Sequence, residues 1–247
     1  MRGFKRYSTI LRLFSPQRPN WTVSEISQAL DTPSSSIYRT MRELSEEGFV
    51  EASADAHYRL GSAFIEFDRM MRKTDPLVLK GAPLLQSLVE QAELPCVCVL
   101  ARLYGDRVIC AVDEKTGNTA FSSSYERGRP MPVLYGATSK AILAHLPKRR
   151  LDAMLSDAQD DAARSALLSQ LKEIRRTGYC VTRGEVDAQL VGLAAPVVNK
   201  DLAIWASVSM IVNSSDLTEE IEERITLTLA TLSQFLAQKL NAYSAGA

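Results

Sequence analysis

Residues 31–44 read DTPSSSIYRTMREL, and this stretch decides how the N-terminal part of the chain folds. Thr32 is a suitable N-cap, and Pro33 suits the first helical position, where its missing N–H costs nothing. On a wheel of about 100° per residue, the apolar side chains fall on one side of the predicted helix. They are Ile37, Met41 and Leu44. The pattern predicts a helix over 33–47, ended by Gly48.

The opposite side of this helix begins with small hydroxyls and continues with an aromatic residue and two cations. These are Ser34, Ser35, Ser36, Tyr38, Arg39 and Arg42, with Ser34 nearest the core edge. Small side chains let a helix N-terminus approach a DNA groove closely, and arginine reaches guanine or phosphate oxygens. Since Thr32 and Pro33 are expected to begin the helix, the serines are not needed as caps. We therefore predict a DNA-contacting face.

The flanking sequence indicates a winged helix-turn-helix over residues 1–61. Helical spacing runs over 4–14, and Thr22 to Glu25 forms a capping-box pattern before a short helix. After Gly48, the runs FVEA and HYRL predict a β-hairpin, which would bring His57 and Arg59 near the DNA backbone. The first twenty residues hold five basic residues and no acid, a pattern that favours phosphate contact. They are Arg2, Lys5, Arg6, Arg12 and Arg18.

Composition narrows the class of protein. The 247 residues are 46% hydrophobic and 23% charged with a formal net charge of zero, which is typical of a globular protein. No apolar run approaches 18 residues and the N-terminus lacks a secretory pattern, so we expect a cytoplasmic protein with no membrane partner. Four cysteines, in no CxxC pair, and two histidines predict buried thiols, no metal site and no cofactor.

The rest of the chain predicts a connector over 62–76 and a mixed α/β domain over 77–247, so the overall class is α+β. Gly105-Asp106 indicates a hairpin turn. The other predicted strands are 119–125, 179–183, 190–198 and 202–212; the predicted helices are 138–146, 148–156, 164–177 and a long one closing the chain.

Several stretches together resemble the IclR-type bacterial transcriptional regulators over nearly the full chain. They are TVSEISQALDTPSSSIYRTMRELSEEGFVE, YRLGSAFIE, GRPMPVLYGATSKAILAHL, LKEIRRTGYCVTRGE and GLAAPVVNKDLAIWASVSM. The resemblance implies a winged-helix DNA-binding domain, a linker helix and a GAF-like effector domain. It also implies homodimers or homotetramers on palindromic double-stranded DNA operators, controlling a catabolic operon.

The same resemblance implies an effector that is a small carboxylic or aromatic acid, bound between GATSKA and the inner face of the sheet. Its predicted site residues are Tyr135, Gly136, Ala137, Thr138, Thr182, Gly192, Ser207 and Ser209. Independently, the amides at a helix start lined by small residues favour an anion. Tyr135 and Arg183 depart from the family pattern and suggest a larger or more aromatic acid. The alternative is packing, with the glycines permitting turns and the serines facing water.

Two other functions compete with this interpretation. An enzyme would use Ser139-Lys140 as nucleophile and base, or a carboxylate pair such as Glu185 and Asp187, but adjacent helical residues point in different directions. No hydrolase, P-loop or dinucleotide motif is present, so no catalytic residue is predicted. A protein-interaction adaptor would use the winged helix to bind protein.

Overall fold

The computed structural model describes residues 3–156 and 161–245. The chain packs into two compact units, Met1–Lys73 and Thr74–Ala247. The division falls inside the stretch predicted to be a connector. Each unit has a hydrophobic core of its own.

The first unit is a winged helix-turn-helix, as predicted. In chain order its elements are α1 (Phe4–Leu11), β1 (Trp21–Thr22), α2 (Val23–Ala29), α3 (Ser34–Glu46), β2 (Val50–Ala52), β3 (His57–Leu60) and α4 (Ala63–Thr74). The predicted hairpin is β2 and β3, and β1 adds a third strand that the sequence did not indicate, in the order β1-β3-β2. Buried side chains of α1, α2 and α3 meet at Ile10, Ile26 and Ile37.

The helix-turn-helix corner differs from prediction at the cap of α3. Thr22 and Glu25 form the predicted capping box at the start of α2. The predicted N-cap Thr32 is wrong, because Pro33 occupies that position and Thr32 Oγ1 instead donates to the Leu30 carbonyl at 3.0 Å. No side-chain hydrogen bond caps α3. Backbone bonds close its first turn instead, since the Ser36 and Ile37 amides both donate to the Pro33 carbonyl, at 2.9 and 3.2 Å.

The second unit is a mixed α/β domain built on one six-stranded sheet. Its elements are α5 (Pro76–Glu90), β4 (Cys96–Tyr104), β5 (Arg107–Lys115), β6 (Pro130–Pro132), α6 (Ala137–Leu143), α7 (Lys148–Leu155), α8 (Asp161–Thr177), β7 (Cys180–Arg183), β8 (Leu190–Asn199), β9 (Ile204–Asn213), a 3₁₀ turn (Ser214–Asp216) and α9 (Glu219–Ala245). The sheet is antiparallel throughout, in the order β6-β5-β4-β9-β8-β7.

At this edge of the sheet, one prediction is wrong and one is confirmed. The strand predicted over 119–125 is wrong; these residues form an irregular segment, and β6 pairs with β5 instead. Two prolines in β6 are tolerated because it lies at the sheet edge, where a missing N–H breaks no central ladder. The predicted hairpin at Gly105-Asp106 is confirmed, with Tyr104 opposite Arg107.

Helices cover both faces of the sheet and so place a site between layers. One face packs against α5 and α9, with Leu85, Leu229 and Leu236 fully or almost fully buried. The other packs against α6, α7 and α8 through Ile142, Leu151 and Leu171. Within the described residues, no helix is long and apolar enough to span a bilayer.

Candidate functional sites

Helix α3 presents the polar face that the sequence predicts. Its apolar side chains are buried, whereas Ser34, Ser35, Arg39 and Arg42 are exposed and Ser36 is half-buried. Tyr38 is 59% exposed, although an aromatic ring of this size usually finds cover in a core. The face therefore combines small hydroxyls, one accessible aromatic ring and two guanidinium groups, a set suited to contact with DNA.

Not every predicted contact residue is equally available. Ser34 donates from Oγ to Ser27 Oγ at 3.0 Å and so ties α3 to α2. Arg42 pairs with Glu46 one turn later at 3.1 Å. Arg59, in the wing, pairs with Glu51 at 3.3 Å. Among the described residues, Arg39 has no ion-pair partner, so it is the cation of this face that is available for an outside anion.

The basic N-terminal stretch is less available than its charge suggests. Arg6 pairs with Glu43 of α3 at 3.2 Å, and Tyr7 donates to the same carboxylate at 2.5 Å. Arg18 pairs with Glu25 and lies over the Trp21 ring, 3.4 Å from its centroid. Arg2 lies outside the described residues. The side chains of Arg6 and Arg18 are thus engaged in contacts within the first unit. The number of basic residues in the sequence therefore overstates how many are available to bind phosphate.

In the second unit, five of the eight predicted effector residues line one small cavity. It has about 20 Å³ of water-accessible space and lies between the start of α6 and the inner face of the sheet. The predicted residues that line it are Gly136, Ala137, Thr138, Thr182 and Gly192. Gly192 belongs here because the position of its absent Cβ faces Ala137 and Thr182 at 3.5 and 3.6 Å.

Hydrogen bonds fasten the start of α6 to the sheet around this cavity. Thr138 Oγ1 donates to Ser209 Oγ at 3.0 Å, and Ser207 Oγ donates to the Thr138 carbonyl at 3.0 Å. The Ala137 amide donates to Thr182 Oγ1 at 3.0 Å. Ser207 and Ser209 are fully buried, so the alternative in which they face water is wrong. Through their hydrogen bonds to Thr138 they hold the start of α6 against β9, and they do not line the cavity.

The expectation that bare amides await an anion is corrected by the carboxylate of Glu185. Glu185 Oε2 accepts from the Gly136 amide at 2.9 Å, and Oε1 accepts from Lys140 Nζ at 2.6 Å. Helix α6 also spans only seven residues, so its dipole is small. The Glu185 carboxylate therefore already accepts from the amide at the start of α6, where the sequence predicts the carboxylate of an effector.

Sequence reasoning missed the remaining lining residues, which come from two loops and from strands β8 and β9. They are Tyr125, Glu185, Val186, Asp187, Leu190 and Ile211. Asp187 accepts from the Ser124 amide at 2.9 Å and so closes the 119–129 segment over the cavity. The Tyr125 hydroxyl lies 3.3 Å from Ser139 Oγ, and burial raises the pKa of this phenol above its ordinary value. From the sequence, Glu185 and Asp187 are recognisable only as a candidate catalytic pair of carboxylates.

Two predicted specificity residues lie away from the inner cavity. Tyr135 is 58% exposed and Arg183 pairs with Glu222 of α9. Neither lines the inner cavity, so these two side chains do not argue for an aromatic acid.

Ser139 and Lys140 do not form the dyad that the catalytic alternative requires. Ser139 Oγ donates to the Pro132 carbonyl at 2.9 Å, whereas Lys140 Nζ turns to Glu185, so serine and lysine serve different partners. All four cysteines are free and buried. Across residues 3–156 and 161–245, no group of three or more histidine, cysteine or acidic side chains is placed to hold a metal ion.

Known proteins provide the decisive comparison. A family model described as "Bacterial transcriptional regulator IclR C-terminal" matches residues 73–237, and another, "IclR helix-turn-helix domain", matches residues 5–54. The chain belongs to the IclR family. It is therefore a DNA-binding transcriptional regulator, and the α+β class with its N-terminal helix-turn-helix is confirmed.

Relatives within the IclR family are distant but match most of the chain. The regulator KipR of Bacillus subtilis is 23% identical over 218 residues, covering 85% of this chain and 86% of its own. TtgV of Pseudomonas putida is 29% identical over 196 residues, covering 77% and 73%. The Pca regulon regulatory protein of Pseudomonas putida is 21% identical over 249 residues, covering 97% and 84%.

Solved structures confirm the IclR fold. A putative regulator from Silicibacter superposes with a TM-score of 0.82 at 22% identity, covering 95% of this chain and 94% of its own. An IclR homologue from Microbacterium hydrocarbonoxydans, complexed with 4-hydroxybenzoate, gives a TM-score of 0.78 at 21% identity and covers 96% and 98%.

Proposed function

We propose that this IclR-family regulator binds a small organic acid, carboxylic or aromatic, in its second unit and thereby controls a catabolic operon. In this proposal residues 1–61 bind a palindromic operator, 62–76 form the connector, and 77–247 bind the effector and oligomerise. The protein acts in the bacterial cytoplasm as a homodimer or homotetramer, so that each α3 reads one half-site.

The observation that carries the proposal is the convergence of five predicted effector residues on one small cavity between α6 and the sheet. Hydroxyls and amides there are held in place by buried hydrogen bonds to β7 and β9. The lining combines apolar side chains with a few fixed polar groups, as sites for small organic ligands commonly do. The Microbacterium homologue is described with 4-hydroxybenzoate bound, which makes an acid the first ligand class to test.

DNA affinity is the readout that tests this function. A duplex is first selected by the wild-type protein from a random-sequence pool, and its affinity is then measured by fluorescence anisotropy with each member of a panel of aliphatic and aromatic acids. Allosteric coupling is typically about 1–3 kcal/mol, so the effector should change the DNA dissociation constant by about 5- to 150-fold. If every acid leaves DNA affinity unchanged, the proposal is rejected.

A matched pair of variants ties the response to the cavity. Gly192→Ala adds a methyl group that meets only ordinary contacts and narrows the cavity, so it should fold normally and lose the acid response. Gly117→Ala adds the same methyl group where nothing lies within 4 Å, and it should respond like the wild type.

A further inference from the structure

Lys140 is a buried cation that requires an anion beside it. Its side chain is only 8% exposed, it borders the outer of the two cavities that Glu185 lines, and its ammonium donates to Glu185 Oε1 at 2.6 Å. Removing an ammonium from water costs several kcal/mol unless a well-placed opposite charge compensates it. An anion beside Lys140 therefore stabilises the second unit.

Glu185 is the more movable partner of this pair. It lies in the short connection between β7 and β8, its side chain is 29% exposed, and the preceding Gly184 has a φ of +64°. Lys140 belongs to a helix whose every residue is buried. If the pair opens, the glutamate withdraws outward while the ammonium stays in place.

Glu185 also stands between two cavities. It lines the inner cavity of about 20 Å³, and it lines a second, outer cavity of about 380 Å³ bordered by Lys140, Ile174, Tyr179 and Glu222. A space of about 20 Å³ holds one water molecule and no organic acid. The inner site therefore admits an acid only if part of its wall moves.

Of the two side chains that line both cavities, Thr182 belongs to a strand, whereas Glu185 belongs to the connection between β7 and β8. Thr182 lies in strand β7 and accepts from the Ala137 amide, so its displacement would break the sheet edge and the start of α6 together. Withdrawal of the Glu185 side chain would instead join the two spaces and expose both the Lys140 ammonium and the Gly136 amide.

We propose that Glu185 is a built-in substitute for the effector's carboxylate, and that Lys140 becomes the counter-ion of the effector when Glu185 withdraws. This inference rests on the proposed function and adds to it an autoinhibitory contact and a residue that selects anions. Effector binding is then a competition between two carboxylates for one ammonium. The apparent affinity is lowered by the fraction of molecules in which Glu185 still occupies the site.

Acetate, with acetamide as its neutral isostere, is the probe that tests the Lys140 position without knowledge of the effector. Glu185→Gln keeps the shape of the side chain but leaves Lys140 without an anion. We expect acetate to bind this variant at least about tenfold more tightly than the wild type, equivalent to about 1.4 kcal/mol. Binding is measured as the rise in unfolding temperature with acetate, against chloride at equal ionic strength.

Two further variants sharpen the experiment. Glu90→Gln makes the same change in α5, outside both cavities, where the Glu90 carboxylate accepts from the Gln86 side chain at 3.0 Å, and it should respond to acetate like the wild type. In Lys140→Met/Glu185→Gln both charges are absent, so no buried charge is left unpaired, and the preference for acetate over acetamide should disappear.

The outcomes distinguish a failure of this inference from a failure of the proposed function. If Glu185→Gln and the wild type respond alike to acetate, or if the double variant keeps the preference for acetate, the Lys140 site does not take an outside carboxylate and the inference is overturned. The proposed function fails in a different assay, when no acid of the panel changes the wild-type affinity for DNA.

Discussion

Replacing Arg39 by alanine is expected to weaken binding to the selected duplex by about 5- to 150-fold, the range for loss of one arginine contact to a base. Arg39 lies on the exposed face of α3 and, among the described residues, has no ion-pair partner. The substitution therefore removes nothing that holds the fold together. Its cost should appear in DNA affinity and not in the unfolding temperature.

Arg42, on the same face of α3, is the comparison for the loss of DNA affinity expected in Arg39→Ala. Arg42 is shared with Glu46, and exposed pairs one helical turn apart are worth about 0.3–0.5 kcal/mol. Arg42 must give up part of that interaction to reach DNA, so Arg42→Ala should cost less than Arg39→Ala. Conversely, Glu46→Gln should strengthen DNA binding by about twofold, since it frees Arg42 and removes a negative charge near phosphate.

Fluorescence anisotropy across a salt series measures these effects and separates base from phosphate contacts. Loss of a phosphate contact lowers the salt slope by about 1, whereas loss of a base contact weakens binding with little change in slope. Arg72→Ala on α4, another exposed arginine paired one turn away, is the matched control and should leave affinity unchanged. If Arg39→Ala binds DNA like Arg72→Ala, α3 does not read DNA through this face.

Three further predictions concern the second unit. Gly136→Ala should lower the free energy of unfolding of this unit by about 1–3 kcal/mol, because φ is +80° and ψ is 153° and the new Cβ would lie 2.8 Å from Val186. Gly105→Ala is the control, with φ +60° and nothing within 4 Å of the new Cβ, and thermal unfolding should show a smaller loss. Thr138→Val should lower the free energy of unfolding by about 1–3 kcal/mol, because the buried Ser209 hydroxyl loses its hydrogen-bond donor. Adding Ser209→Ala should lower it little further, and hydrogen exchange of the β9 amides would measure both variants. Additive losses in the double variant would contradict this coupling. Burial raises the pKa of Cys110 to about 12, so this thiol stays protonated at pH 8 and a disulfide reagent should label it only after denaturation; fast labelling of the native protein would refute its burial.

Periodic local patterns were enough to predict most elements. The apolar positions of α3, the capping box of α2 and the Gly105-Asp106 turn are all local signals, and each is present in the structure. Strand β6 escaped prediction because two prolines mask a short edge strand, and 119–125 was predicted as a strand because a few alternating residues resemble one. A two-residue strand such as β1 leaves no periodic pattern at all.

The candidate effector site was predictable only in part, for a physical reason. Resemblance to the family identified the chain segments that meet there, such as GATSKA and the β8 glycine. It did not reveal that the Glu185 carboxylate folds back onto Lys140 and Gly136, because that contact joins residues 45 and 49 positions apart. Nor did charge counting show that Arg6 and Arg18 are held by Glu43 and Glu25.

Reciprocal linkage between effector and DNA tests the central claim most directly. Once the anisotropy panel has identified the active acid, calorimetry measures its dissociation constant for the free protein and for the protein saturated with the selected duplex. The two constants should differ by the same factor by which the acid changes the dissociation constant of the duplex, since coupling free energy is symmetric. Equal acid affinity in the free and the DNA-bound protein would contradict regulation through this site.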